Sequence, residues 1–338
     1  MNFRYLILII LVLVSISCSN NKSQDNSSKD VGLKVSSDTL LTIYDVEKDS
    51  ILIGSARAIA LGTEGDIYVL DNKSNKVFRF DSIGAFKMQY IYNSGRGPGE
   101  ITKPNSLFVD KNSYLYLTDR DKRKFFVFNK RGELFAEKKI DLMPSKISAF
   151  DTSKVFITGF RFTFQDSNIV QTYELKNSEY RKQGSFGIRT PVENELMVNM
   201  SGYSDFIDVV EKRIILNRFY PYHFEVYDET LTLIHQERKE HSQFTAPFRE
   251  DGLINFKSVG REILILKDWV LVRYLIEGKS YFDFYNKDFE LIRTNSAEEL
   301  GMKGGGKYFA SYSKKNQVLV IYEDPLFNVM RYGFEKNN

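Results

Sequence analysis

Short apolar segments that end near a polar residue recur six times along the chain. The six segments are Ile67–Asp71, Leu115–Asp119, Val155–Gly159, Ile214–Arg218, Val270–Tyr274 and Val318–Tyr322. Successive segments begin between 40 and 59 residues apart. Each is rich in Val, Ile, Leu or aromatic residues, and a short run of this kind bounded by polar residues is typical of a buried strand. The pattern therefore predicts six equivalent β-strands.

A second set of strand-like segments follows the first, about ten residues later in each repeat. Further runs flank most of these pairs, such as Asn105–Asp110 before one pair and Gly132–Ile140 after it. Four strands per repeat of this length are typical of propeller blades. We therefore predict an all-β fold, a six-bladed β-propeller with four-stranded antiparallel blades. A two-domain β-sandwich is the alternative, and the even spacing of both strand sets argues against it.

The sixth repeat ends after Phe334, before a fourth strand is complete. A ring left open there would expose unpaired strand edges. Residues 39–45 include Leu40, Leu41, Ile43 and Tyr44, precede the first blade and have no other evident partner. We predict that this N-terminal strand closes the ring as the outer strand of the sixth blade, so that residues 39–338 form the propeller domain.

The N-terminus has the layout of a secretory signal. Arg4 precedes an apolar run, and small residues lead to Cys18, the only cysteine of the chain. The apolar run is shorter than the roughly 20 residues that a membrane-spanning helix needs. Ser15, Ile16, Ser17 and Cys18 together resemble a bacterial lipobox, which implies lipid attachment at Cys18; an ordinary signal peptide is the alternative. We predict a signal peptide over residues 1–17 and a flexible tether over residues 18–38, where Ser, Asn, Lys and Asp dominate.

Composition and charge narrow the possible partners. Hydrophobic residues make up 42% of the 338 residues, which is enough for a large core. The formal net charge is only +3, and Lys and Arg are dispersed among Asp and Glu. Because no dense basic block is present, we predict no nucleic-acid partner.

The most distinctive motif is the Gly- and Pro-containing stretch Gly95–Ile101, which precedes the first strand of the second repeat. Glycines allow backbone angles closed to other residues, and Pro98 stiffens the turn. The stretch resembles the Gly-Pro-Gly-Glu connection of six-bladed β-propeller lipoproteins of Bacteroidota, which are related to NHL-repeat propellers. The resemblance implies the fold and export. The loop is interpreted either as a blade connector or as a site where Arg96 and Glu100 contact a ligand at the propeller mouth.

Other motifs give no catalytic residue, metal ligand or cofactor. Gly301–Lys307 is glycine-rich, but Tyr308 stands where a phosphate-binding loop needs Ser or Thr. His223, His235 and His241 lack the spacing of metal ligands, and no nucleophile elbow is present. The long connections 187–205 and 239–257 contain Met and Phe, which would suit either a contact surface or covers over the blades.

These patterns favour a binding or scaffold module of the cell envelope over an enzyme. The predicted partners are the membrane, through the lipid anchor, and an envelope protein, peptide or glycan. The resemblance to NHL-like propellers also implies an alternative, a lyase or hydrolase with a metal in the central channel. The sequence leaves open whether the anchored protein faces the periplasm or the cell surface, with the outer membrane as the expected site.

Overall fold

Six antiparallel sheets of four strands each form the blades of the fold. The computed structural model describes residues 33–42, 53–95, 97–160, 168–188, 205–220, 222–238, 248–250, 253–255, 258–303, 306–312, 314–322 and 327–336. Residues 32–338 belong to one structural unit. The predicted six-bladed propeller with four-stranded antiparallel blades is confirmed.

The blades follow one another along the chain, and each of the first five places its strands in sequence order. Blade 1 contains β2 (Ala56–Leu61), β3 (Ile67–Asp71), β4 (Lys76–Phe80) and β5 (Phe86–Ile91). Blade 2 contains β6 (Pro104–Val109), β7 (Leu115–Asp119), β8 (Lys124–Phe128) and β9 (Leu134–Lys139). Blade 3 contains β10 (Met143–Asp151), β11 (Lys154–Phe160), β12 (Asn168–Lys176) and β13 (Glu179–Ile188).

Blade 4 contains β14 (Phe206–Val210), β15 (Arg213–Asn217), β16 (His223–Tyr227) and β17 (Leu233–Arg238). A two-stranded hairpin follows, made of β18 (Phe248–Glu250) and β19 (Leu253–Asn255). Blade 5 contains β20 (Ser258–Ile265), β21 (Val270–Ile276), β22 (Lys279–Tyr285) and β23 (Leu291–Ser296). Blade 6 contains β24 (Tyr308–Tyr312), β25 (Gln317–Tyr322), β26 (Asn328–Lys336) and β1 (Leu33–Thr42).

The N-terminal strand closes the ring, as predicted, but its position differs from the prediction. β1 pairs antiparallel with β26, and Arg331 of β26 forms an ion pair with Asp38 of β1. Because β1 begins at Leu33, the predicted tether 18–38 is wrong for its last residues, and the propeller begins before residue 39. Residues 43–45 of the predicted closing strand lie outside the described residues. The polar stretch was misread because the outermost strand of a blade exposes one face to solvent, so Ser and Asp are tolerated there.

Both faces of each blade's second strand are buried between neighbouring blades. In β3, Ile67 and Val69 pack with blade 6 residues such as Leu319, while Tyr68 and Leu70 pack with blade 2. Alternate side chains of a strand point to opposite faces, so a strand buried on both sides becomes a continuous apolar run. This arrangement explains why the second strands gave the clearest repeat in the sequence.

An aspartate at the end of this second strand fastens the chain that leads into its own blade. Asp71 of β3 accepts hydrogen bonds from the backbone N–H groups of Gly54 and Ser55, at 3.1 and 2.7 Å. Asp119 of β7 likewise accepts from Thr102 and Lys103. Both carboxylates also bind N–H groups of the turn that follows them. Asp119 therefore stabilises the turn that follows it, and its side chain also holds the connection between two blades.

Candidate functional site

The first strands of the six blades, β2, β6, β10, β14, β20 and β24, line one central channel with a volume of about 990 Å³. Because each blade places its first strand innermost, all six strands run through the channel in the same direction. We call the end where these strands begin the upper mouth and the end where they finish the lower mouth. The edges of the inner strands, together with their flanking side chains, face this space.

Irregular strand starts place charged and polar residues at the upper mouth. The strand register shifts around Arg57 in blade 1, Asn105 in blade 2, Ser145 in blade 3, and Arg261 and Glu262 in blade 5. A bulge inserts an extra residue, bends the strand and redirects side chains. Four of the six blades therefore begin with a bulge that carries a polar side chain.

Two of these bulges are fixed by contacts to a neighbouring blade. The Asn105 amide donates to the carbonyl oxygens of Pro144 and Ser145, at 2.9 and 3.1 Å, and so ties blade 2 to the bulge of blade 3. The N–H of Gly260 donates to the carbonyl of Phe219, at 2.8 Å, just before the bulge of blade 5. A Cβ at Gly260 would overlap the carbonyl oxygen of Arg218. Glycine is therefore required where blade 5 approaches the backbone of blade 4.

Glu262 at the upper mouth is paired with Arg273. Arg273 Nη1 lies 2.7 Å from Glu262 Oε2, and the Arg273 guanidinium also bonds Ser280 and covers the Phe309 ring at 4.0 Å. Burial raises the pKa of the Glu262 carboxyl, but the charges of Arg273 and Lys146 outweigh this effect and lower the pKa from its ordinary value. Glu262 is therefore an ionised carboxylate with a dedicated partner.

Lys146 occupies a different environment at the same mouth. Its ammonium nitrogen lies 4.7 Å from the centroid of the Phe206 ring. Burial lowers the pKa of Lys146, and the charges of Arg57 and Arg261 lower it further, while Glu262 raises it. Within the described part of the chain, no oxygen atom lies within hydrogen-bond or ion-pair distance of this ammonium. Lys146 is thus a cation that contacts an aromatic ring and interacts with the charges of one glutamate and two arginines.

The middle of the channel contains one carboxyl group, Asp208 of β14. Ser148 of β10 donates to its Oδ1 at 3.5 Å, and the backbone N–H of Val209 donates at 2.7 Å. Burial raises the pKa of Asp208 to about 7, against the opposing effect of these two hydrogen bonds. The carboxyl is therefore partly protonated near neutral pH.

The lower mouth is ringed by lysines that have oxygen partners. Lys111 pairs with Asp151 at 3.2 Å, and Lys212 pairs with Glu229 at 3.1 Å. Lys287 donates to the carbonyl oxygen of Leu266 at 2.6 Å. These three lysines are therefore neutralised or satisfied by their neighbours, unlike Lys146 at the upper mouth.

The predicted contact residue Glu100 lies away from the channel. Its Oε2 accepts from the N–H of Gly97 in its own loop, at 2.5 Å, and its carbonyl accepts from Lys122 Nζ at 2.6 Å. The N–H of Gly99 donates to Glu137 of β9, the outer strand of blade 2. The loop is therefore anchored towards the rim, and a ligand contact by Glu100 stays a prediction. Arg96 and Cys18, the other two predicted site residues, lie outside the described residues.

Two predicted features are only partly visible. The connection 239–257 includes the β18–β19 hairpin, and most of it, like most of 187–205, lies outside the described residues. His223 lies 3.8 Å from Glu225, and His235 stacks on Phe289, while His241 is not described. Across the described ranges, no group of three or more His, Cys, Asp or Glu residues is placed to hold a metal ion.

The same ranges include no helix that is long and apolar enough to cross a membrane.

Comparison with known families agrees with this architecture. The sequence profile of the DUF5128 family, described as a 6-bladed beta-propeller, matches residues 43–322. The chain belongs to this family. The match runs from before β2 to the end of β25, so it leaves out the two strands, β1 and β26, that close the ring. A search of the curated proteins gave no match.

Solved structures of low sequence identity share the fold. A Bacteroides fragilis protein provisionally described as exported is 15% identical, with a TM-score of 0.64, and the alignment covers 92% of this chain and 98% of that one. A member of the DUF4221 family from Bacteroides vulgatus is 9% identical, with a TM-score of 0.60 and coverage of 91% and 100%. Virginiamycin B lyase from Staphylococcus aureus is 9% identical, with a TM-score of 0.54 and coverage of 89% and 99%. At these identities the likeness concerns the fold alone.

The residues that give the upper mouth and channel their chemistry were not predicted from the sequence. Lys146, Asp208 and Glu262 each stand in the first strand of a blade, where most neighbours are apolar or small. Once the blades are identified, a charged residue within a first strand is a sequence signal for a side chain that faces the channel. The sequence does not show, however, that strands from different repeats bring these residues to one space.

Proposed function

We propose that this protein is an exported, lipid-anchored binding module of the bacterial cell envelope, and that its ligand occupies the central channel. The observation that carries the proposal is a single cavity to which every blade contributes one strand. Its volume of about 990 Å³ falls within the range of ~300–1,000 Å³ that ligand sites usually have. A glycan, a peptide or a segment of an envelope protein could insert there.

The channel is suited to binding because it is formed before any ligand arrives. The inner strands are held by their own blades and by contacts between blades. Ser106 accepts from the N–H of Ile147 at 3.2 Å, and Ser311 accepts from the N–H of Ile265 at 2.7 Å. A rigid site loses little conformational entropy on binding, so more of the contact energy contributes to affinity.

Binding can be tested with the full-length protein in detergent, by measuring its Tm against panels of envelope glycans and peptides. A ligand that binds only the folded state raises the Tm. The variant Asp208→Phe fills the middle of the channel and should abolish the shift. Ile234→Phe, at a half-exposed position on the outer strand β17, is the matched control and should keep it. An equal shift in wild type and Asp208→Phe would place the ligand elsewhere and contradict the proposal.

Export and anchoring form the second part of the proposal. The leader ending at Cys18 supports them, and so does the provisional description of the Bacteroides fragilis relative as exported. Cells grown with labelled palmitate should yield a labelled protein that sediments with membranes. Cys18→Ser should lose the label and leave the membrane fraction, whereas Ser19→Ala should behave as wild type. Retention of both properties in Cys18→Ser would contradict the anchor.

The alternative function is an enzyme with a metal in the channel, as the resemblance to NHL-like propellers implies. The fold shared with virginiamycin B lyase is compatible with this alternative, and the likeness extends no further than the fold. Elemental analysis of the purified full-length protein would test it. One tightly bound metal ion per chain, lost in a variant of a channel carboxylate such as Asp208→Asn, would favour the enzyme.

A further inference from the structure

Among the described residues, the charges that act on Lys146 at the upper mouth come from two arginines and one glutamate. Arg57, Lys146, Arg261 and Arg273 come from three blades, and Glu262 is the acidic residue whose charge acts on Lys146. Glu262 is already bonded to Arg273, so this pair is close to neutral. Arg57 and Lys146 add positive charge outside this pair, and the Arg261 guanidinium lies over the Phe219 ring at 5.8 Å.

Lys146 lines the channel, and a ligand can reach it without displacing a hydrogen-bond or ion-pair partner among the described residues. It is partly buried, it contacts the Phe206 ring, and none of the described residues offers it an oxygen. An anion that reaches this partly buried ammonium would supply the acceptor that the described residues do not offer. The lysines of the lower mouth differ, because Lys111 and Lys212 already have carboxylate partners.

We infer that the upper mouth binds a compact oxyanion, a carboxylate or phosphate group carried by the ligand, through Lys146 with Arg57 and Arg261 at its rim. This inference rests on the proposed binding function and adds the chemical class of the ligand. Phe206 and Tyr308 line the same end and offer a surface for the ring or apolar part next to the anionic group. Charge-assisted hydrogen bonds to such a group are stronger than those between neutral partners.

The test compares three sugars that differ at one position: glucose, glucuronate and glucose 6-phosphate. Isothermal titration of each into the full-length protein in detergent should show binding of one or both anionic sugars and much weaker binding of glucose. The comparison of glucuronate with glucose 6-phosphate distinguishes a carboxylate ligand from a phosphate ligand. Because these contacts are electrostatic, the preference should weaken as salt is added.

Variants at the two mouths locate the site. Lys146→Met should weaken binding of the anionic sugar roughly tenfold or more, because a hydrogen-bonded charge contact is lost. Lys146→Arg should largely restore it. Lys111→Met removes a lysine from the lower mouth of the same channel and should leave the affinity unchanged. Similar losses in Lys146→Met and Lys111→Met would indicate a general charge effect and overturn the inference.

Other outcomes separate this inference from the proposed function. If glucose binds as tightly as its anionic derivatives, and Asp208→Phe abolishes that binding, the channel is a ligand site without an anion preference. If the anionic sugars bind equally to wild type and Lys146→Met, the oxyanion lies elsewhere. If none of the three sugars binds, the inference is wrong, while the glycan and peptide panels still test the channel.

Discussion

The upper mouth of the channel and the Gly95–Ile101 loop both contain conspicuous charged residues, yet they use them differently. In the loop, Glu100 accepts a hydrogen bond from the N–H of Gly97, and Lys122 donates to the carbonyls of Gly97 and Glu100, so these groups are satisfied by the protein itself. At the mouth, the Lys146 ammonium contacts an aromatic ring and has no hydrogen-bond acceptor among the described residues. The loop contacts therefore fix the shape of the blade connection, and Lys146 at the mouth is the group to which our proposal assigns an anionic ligand.

The largest loss of stability is expected for Arg273, the upper-mouth cation that forms an ion pair within the protein. Arg273→Met would leave the Glu262 carboxylate without its ion-pair partner and remove the guanidinium from Phe309. We expect a loss of about 2–4 kcal/mol in the free energy of unfolding, measured by urea denaturation. Lys212→Met breaks an exposed pair with Glu229 and should change little. A small loss in Arg273→Met would mean that this pair is as dispensable as a surface pair.

The second largest effect on the free energy of unfolding is expected at Asp208, and it depends on pH. Its folded-state pKa of about 7 lies above the value of about 3.9 expected in the unfolded chain, so the free energy of unfolding falls as pH rises from 4 to 7. Asp208→Asn should remove this fall and gain about 1–3 kcal/mol at pH 8, with no gain below pH 4. Urea denaturation across this pH range measures the difference.

Asp151→Asn at the lower mouth is the matched control for that measurement. Burial raises the pKa of Asp151, but hydrogen bonds from Ser153 and the charge of Lys111 outweigh it and lower the pKa. Neutralising this group should therefore decrease stability above pH 4. Parallel pH profiles for the two variants would contradict the assignment of Asp208 as the raised group.

A smaller loss of stability is expected for Glu100 in the Gly95–Ile101 loop. Glu100→Ala removes the acceptor of the Gly97 N–H and should lower the free energy of unfolding by about 1 kcal/mol. Binding of an anionic ligand should be unchanged, because Glu100 faces its own loop and not the channel. Loss of ligand binding with unchanged stability would instead restore the predicted role of Glu100 as a contact residue. Glu64→Ala, at an exposed position beside Lys314, is the stability control.

The smallest effect on stability is expected at Lys146. Lys146→Met removes a partly buried ammonium and its contact with Phe206, two effects of opposite sign, so the free energy of unfolding should change by less than about 1 kcal/mol. Measured beside Arg273→Met, this variant would show that one cation of the mouth supports the fold and the other does not. A loss of stability as large as that of Arg273→Met would mean that both cations support the fold, which contradicts the comparison.

Much of the architecture could be predicted because it repeats in the chain. The apolar second strands, such as Ile67–Asp71, mark each blade, and the missing strand after Phe334 requires a partner from the N-terminus. The start of that partner at Leu33 was missed because an outer strand exposes polar side chains and resembles a tether. The loop motif was recognised from its glycines, but its hydrogen bonds to Lys122 and Glu137 depend on the neighbouring blade.

The sequence by itself determined the class of fold, the number of blades and the closure of the ring, because burial of both faces imposes an apolar run at every repeat. Only the tertiary structure decided which charged residues share a space. Lys146 and Glu262 are far apart in the chain and belong to blades 3 and 5, and they meet because both inner strands begin at the same end of one channel. Sequence spacing cannot reveal such a meeting, since it is produced by the rotation of whole blades about an axis.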